Sequence, residues 1–125
     1  MIPLDVPRPV LLIVDDDPAV LNALDFMAGT RGYAVRRCAN GAQALAAAGP
    51  GISCLIIDQN LSDMQGSYLL QEIRAKGVDT PALIMTTSPS LTLRRQAAAA
   101  GVPIVEKPLL DEDLFVQIRR LTAPN

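Results

Sequence analysis

Val10-Leu11-Leu12-Ile13-Val14-Asp15-Asp16-Asp17-Pro18 is an apolar run that stops abruptly at three acids and a proline. A short, unbroken apolar run bounded by turn signals reads as a strand buried on both faces, the hallmark of a parallel sheet. The proline suits the first turn of a following helix, where its missing N–H would have no partner anyway, and Asp17 suits the N-cap before it. Three further runs end in the same way. Cys54-Leu55-Ile56-Ile57 meets Asp58, Ala82-Leu83-Ile84-Met85 meets Thr86, and Ile104-Val105-Glu106 meets Lys107-Pro108. Ligands of open parallel sheets gather at the carboxyl ends of the strands. The run ends therefore predict one pocket holding several carboxylates, a hydroxyl and an ammonium group.

Between these strands the pattern turns helical. Val20, Leu24, Met27 and Ala28 recur on one face, and Gly29 and Gly32 are expected to close that helix. Tyr33 to Cys38 mixes apolar and charged residues, which fits an edge strand. Asn40 is placed to cap a short helix over residues 42–48, ended by Gly49-Pro50-Gly51. Leu69, Leu70 and Ile73 mark a helix ending near Gly77. An alanine-rich, weakly amphipathic helix runs roughly over residues 91–100, and Leu114, Ile118 and Leu121 stripe the last one. Tyr33 and Tyr68 read as packing residues. The whole is five β-α units. Right-handed crossovers put helices on both faces, and a flavodoxin-like (βα)5 three-layer α/β sandwich, its parallel sheet ordered 2-1-3-4-5, is expected. Residues 1–8 are expected to be an arm, 9–122 the single domain and 123–125 a tail.

Composition bounds the function. In 125 residues half are hydrophobic and only 3% aromatic, so the core must be aliphatic. A formal charge of -2 gives no electrostatic case for direct nucleic-acid binding. No stretch has membrane-spanning length, and the N-terminal residues do not read as a signal peptide. Cys38 and Cys54, without CxxC spacing, read as buried small hydrophobes in a reducing cytoplasm. With no histidine, the chain cannot supply imidazole bases or ligands. Asp15, Asp16 and Asp58 crowded together would repel one another, which a divalent cation relieves. Oxygen ligands suit Mg²⁺ or Mn²⁺. With such a metal beside it, Asp58 could attack phosphorus, while Lys107 offsets charge on the transferring group.

These residues, in this order, resemble the response-regulator receiver domain of bacterial two-component signalling. The match runs from Val10 to Leu121. It is carried by Val14-Asp15-Asp16-Asp17-Pro18, Ile56-Ile57-Asp58-Gln59-Asn60-Leu61, Met64-Gln65-Gly66, Met85-Thr86 and Glu106-Lys107-Pro108. The resemblance implies that Asp58 accepts a phosphoryl group from a histidine kinase or histidine phosphotransfer protein. It implies that Asp16 and Asp15 hold the metal with the carbonyl of Asn60, and that Thr86 and Lys107 follow the phosphoryl group and switch a surface for a downstream protein. It also implies a cis Lys107–Pro108 peptide.

The chain departs from the family at three positions. Ile104 stands where an aromatic ring is usual, Ser62 where the loop has proline, and Thr87 where a small residue is typical. A branched Thr87 is expected to narrow access to the phosphoryl group. Arg94, Arg95, Asp111, Glu112 and Asp113 read as solvated charges, with a weak homodimer across the last two helices as the alternative. Two other functions compete with phosphoacceptance. A Mg²⁺-dependent aspartyl-nucleophile phosphatase would usually carry a second Asp where Asn60 stands. A degenerate receiver, acting as a constitutive protein-binding module, would not need the full set of acids, threonine and lysine.

Overall fold

A computed structural model describes residues 8–107 and 113–123. The expectations for Pro108, Asp111, Glu112, most of the N-terminal arm and the end of the tail lie outside these residues. Five strands, β1 (Val10–Val14), β2 (Ala34–Cys38), β3 (Cys54–Asp58), β4 (Ala82–Thr86) and β5 (Ile104–Glu106), alternate with five helices. These are α1 (Pro18–Thr30), α2 (Gly41–Ala47), α3 (Gly66–Ala75), α4 (Leu91–Ala100) and α5 (Asp113–Thr122). The sheet is parallel throughout, in the order β2-β1-β3-β4-β5. This is the expected α/β architecture.

The burial follows from position in the sheet. β3 and β4, flanked on both sides and covered on both faces, are buried along their whole length. β2, at the edge, leaves Arg36 and Arg37 in solvent. Alternate residues of each strand feed two separate cores. Leu12, Val14, Leu55, Ile57 and Ile84 face the layer holding α2, α3 and α4. Leu11, Ile13, Ile56, Leu83 and Met85 face α1 and α5. The two cysteines fall on opposite sides of this divide, Cys38 with the first core and Cys54 with the second, both buried and free. Burial pushes the Cys54 thiol up to about 12 and raises that of Cys38 too.

Several local readings are corrected. Gly29 lies within the last turn of α1, and the turn comes at Gly32, whose φ of 87° is a left-handed value that favours glycine. The buried face of α1 is Leu21, Leu24 and Ala28, with Val20 and Met27 at its margins. Tyr33 is buried as expected and sits 6.3 Å, ring centre to ring centre, from Phe115, the largest fully buried side chain. Tyr68 is not a packing residue: it projects from α3 and is 52% exposed. α4 matches the expected span and is held through only two buried side chains, Leu93 and Ala97. Between α3 and α4 an open cavity of about 250 Å³ is floored by Leu70, Ile84, Leu93, Ala97 and Val102.

Candidate functional site at the carboxyl ends of the strands

β1 and β3 are neighbours because the chain order reverses between them, and their carboxyl ends bring Asp15, Asp16 and Asp58 together. One carboxylate oxygen from each lies within 4.8 Å of the others. Asp15 is fully buried and Asp58 nearly so, whereas Asp16 faces solvent. The cluster is thus open on the Asp16 side. Asp15 is fixed from two directions. Its Oδ1 accepts from the Asp17 amide at 2.9 Å, and its Oδ2 accepts from Lys107 Nζ at 2.7 Å. Asp17 in turn accepts from the Ala19 amide at 2.9 Å, as the N-cap of α1. The three consecutive acids therefore divide their work, two for the pocket and one for the helix.

Lys107 reaches the cluster because β5 pairs with β4. Its amide donates to the Thr86 carbonyl at 2.9 Å, and its ammonium stands 3.2 Å from Asp58 Oδ1. It bridges two acids that would otherwise face each other unscreened. Burial raises the Asp58 carboxyl above its ordinary range, and the negative charge of Asp15 adds to this. Lys107 and the Asn60 amide only partly offset it. Burial by itself would lower Lys107, but its hydrogen bond to Asp15 and the charges of Asp58 and Asp15 outweigh that and hold it raised. Thr86, buried, ends β4 one residue beyond Met85, which is the register partner of Asp58. Thr87, next along, is exposed.

The loop from Gln59 to Gln65 closes the remaining side. Asn60 donates its amide to Asp58 and pairs across the loop with Gln65. Two residues that the sequence reading passed over organise this loop. Gln59 is buried; its Oε1 accepts from the Ser67 amide at 2.8 Å and its Nε2 donates to Ser67 Oγ at 3.1 Å. Asp63 accepts from the amides of Gly41 and Ala42 at 2.9 and 3.0 Å. A long polar side chain directly after the strand-ending Asp58 was the available signal for Gln59. No local signal pointed to Asp63, whose partners lie more than twenty residues earlier. Gly66, the first residue of α3, lies against the Asp58 main chain, where a Cβ would collide with the Asp58 carbonyl oxygen.

The donors fit a hard divalent cation. The clustered oxygens are carboxylates, the chain has no histidine, and both cysteines are buried in the two cores.

The comparisons with known proteins agree with this geometry. The family model for the response regulator receiver domain matches residues 11–119. The transcriptional regulatory protein FixJ of Bradyrhizobium diazoefficiens is 32% identical over 111 residues, which cover 86% of this chain and 54% of FixJ. The C4-dicarboxylate transport transcriptional regulatory protein DctR of Rhodobacter capsulatus is 34% identical, covering 82% of this chain and 54% of DctR. The chain thus spans about half the length of the curated relatives it matches. Among solved structures, a CheY-like receiver domain protein from Methanospirillum hungatei superimposes with a TM-score of 0.84 at 27% identity, covering 91% of this chain and 93% of that one. The Vibrio cholerae chemotaxis protein CheY4 gives 0.83 at 27% identity, covering 92% and 99%. With five parallel β-α units, an acid cluster at the switch point and a lysine bridging it, this chain belongs to the response regulator receiver domain family.

Proposed function

We propose that Asp58 is the phosphoacceptor of this receiver, loaded with the help of Mg²⁺ (or Mn²⁺) held by Asp15, Asp16, Asp58 and the Asn60 carbonyl. The observation that carries the reading is Lys107 Nζ lying between Asp15 and Asp58, at 2.7 and 3.2 Å. A cation fixed at that point by a buried acid is already positioned to receive charge on a group attached to Asp58. The transfer is a displacement at phosphorus. A carboxylate oxygen of Asp58 forms the new P–O bond, the N–P bond of a partner's phosphohistidine breaks, and the freed imidazole is left on the partner. A divalent cation held by Asp15, Asp16, Asp58 and the Asn60 carbonyl would offset charge on the transferring group. Lys107 trades its contact with Asp58 for one with a phosphoryl oxygen, and Asp15 holds it in place meanwhile. Thr86, buried at the end of β4, supplies a hydroxyl to the same group. The branched Thr87 beside it narrows the approach, so Thr87→Ala is expected to speed both self-phosphorylation by small donors and hydrolysis.

The switch follows from added charge. To move a two-state equilibrium decisively, the phosphoryl group must favour one state by about 5.5 kcal/mol. With Ile104 where the family usually has a ring, that energy acts through Thr86, Lys107 and the neighbouring α4. The partners are a histidine kinase or phosphotransfer protein upstream and a protein target downstream. We assign residues 9–122 to the receiver unit and place it in the cytoplasm, where its two free buried thiols persist. None of the described helices is long and apolar enough to cross a membrane. Turnover of foreign substrates is not part of this function, because Asn60 occupies the position where an aspartyl phosphatase usually carries its second acid. Incubation with acetyl phosphate and Mg²⁺ followed by intact-mass measurement is the test. One phosphoryl group on the wild type and none on Asp58→Asn is the expected result, and an unmodified wild type defeats the proposal.

A further inference from the structure

The loop that offers the Asn60 carbonyl is attached at both its neck and its tip. At the neck, the Gly66 amide donates to the Gln59 carbonyl at 2.8 Å, Asn60 pairs with Gln65, and the Gln59 amide group locks onto Ser67. At the tip, the two oxygens of Asp63 each take one amide at the start of α2, from Gly41 and from Ala42. Those bonds, the Gly41 amide foremost, hold the Asp63 carboxyl below its usual range. Met64 lies flat on Gly41, whose Cβ would stand 2.5 Å from Met64 Sδ, so loop and helix meet at bare backbone.

In α2's own cap, Asn40 Oδ1 accepts from the Gln43 amide at 2.8 Å, and Gln43 Oε1 accepts from the Ala39 amide at 2.8 Å, one residue before the cap. The Asp63 bonds take the two first-turn amides that this cap leaves open, and in doing so tie the loop to the helix. Mg²⁺ demands near-ideal ligand placement, and groups that orient its ligands typically govern affinity about 10- to 100-fold.

We propose that Asp63 is a positioning residue for the cation site: by clasping the first two amides of α2 it fixes the loop that presents the Asn60 carbonyl to the metal. This rests on the cation-bound reading of Asp15, Asp16 and Asp58. The test uses the full chain as wild type, Asp63→Ala, Asp63→Asn and Asn40→Ala. Mg²⁺ alone is titrated by calorimetry, and amide hydrogen exchange is followed in metal-free protein. Asp63→Ala is expected to weaken the Mg²⁺ Kd by about tenfold and to speed exchange across residues 60–65. Asp63→Asn, which keeps one acceptor, falls between it and the wild type. Asn40→Ala lowers the unfolding temperature by removing the cap but leaves the Mg²⁺ Kd within about twofold, since the Asn40 cap bond goes to Gln43 and not to the loop. Wild-type affinity in both Asp63 variants overturns the inference, as does an equal loss in Asn40→Ala, which would make the effect one of helix stability. A wild-type chain that takes up no Mg²⁺ defeats the cation reading itself, a result distinct from either.

Discussion

Replacing Asp58 by asparagine is expected to make the metal-free protein more stable. Asp58 Oδ1 is 3.2 Å from Lys107 Nζ, and an Asp15 oxygen lies within 4.8 Å. With an effective dielectric constant of about 20, the first contact attracts by about 5 kcal/mol and the second repels by at least about 3.5 kcal/mol. Burying the carboxylate costs several kcal/mol more. The balance leaves the Asp58 charge unfavourable by about 1–2 kcal/mol, in agreement with its raised carboxyl. The Asp58→Asn substitution removes that penalty, while Lys107 keeps its 2.7 Å bond to Asp15. In EDTA at pH 7 the variant is expected to gain about 1–2 kcal/mol in urea unfolding and about 5 °C in Tm.

The sign of the pH dependence follows from linkage. An acid whose folded pKa is raised binds more protons folded than unfolded. Wild-type stability therefore falls as pH rises from the unfolded value, about 3.9, through the raised folded one. The gap between the two proteins should open over that window and close below it. Mg²⁺ at about a hundred times its Kd adds about 2.7 kcal/mol to the wild type and less to the variant, which has lost a ligand. A variant less stable than wild type at pH 7 in EDTA, or a gap unchanged between pH 7 and pH 3, would refute the reasoning.

Lys107→Met leaves Asp15 and Asp58 buried face to face, and a loss of about 3–5 kcal/mol is expected in metal-free urea unfolding, partly recovered by Mg²⁺. In the wild type the Lys107 contribution is whole below the unfolded lysine value of about 10.4 and is lost as pH climbs through its raised folded value, which an alkaline unfolding series would read. Gly41→Ala should cost about 1–3 kcal/mol through its clash with Met64, and a second substitution, Met64→Ala, should return much of it in a double-mutant cycle. Gly66→Ala has no such remedy, because the obstacle is the Asp58 main chain. Cys38 and Cys54 should resist alkylation at neutral pH in the folded protein and react promptly after denaturation, as mass measurement would show.

How much of this was legible in the sequence depends on the distance over which each feature is written. The strands and their terminal acids are consecutive residues, and Asp15, Asp16, Asp58 and Lys107 did converge where the run ends put them. Gly29 misled because a glycine in the last helical turn looks the same as one just beyond it. Tyr68 misled because aromatic character says nothing about which side of α3 a residue occupies, and the face is set by Leu69, Leu70 and Ile73. Phe115 and Leu21 completed apolar faces of which only the other members had been counted. Asp63 was unreadable for a different reason. Its partners are main-chain amides, which nearly any residue carries, so neither end of the contact leaves a mark in side-chain pattern.

The seating of α4 has a consequence of its own. A helix normally meshes with its support through interdigitating ridges, and moving it means lifting large side chains over one another. Here the underside is Leu93 and a methyl group at Ala97, beside an open cavity of about 250 Å³. Alanine has no rotamers to re-sort and little relief to catch on, so the helix is expected to act as a slider on a smooth track rather than a cog in a train. The friction of that track is adjustable one methylene at a time. Bulkier residues at Ala97 or Ala100 would brake the helix without touching the acids, and evolution could tune responsiveness in this protein by lining that cavity more or less thickly.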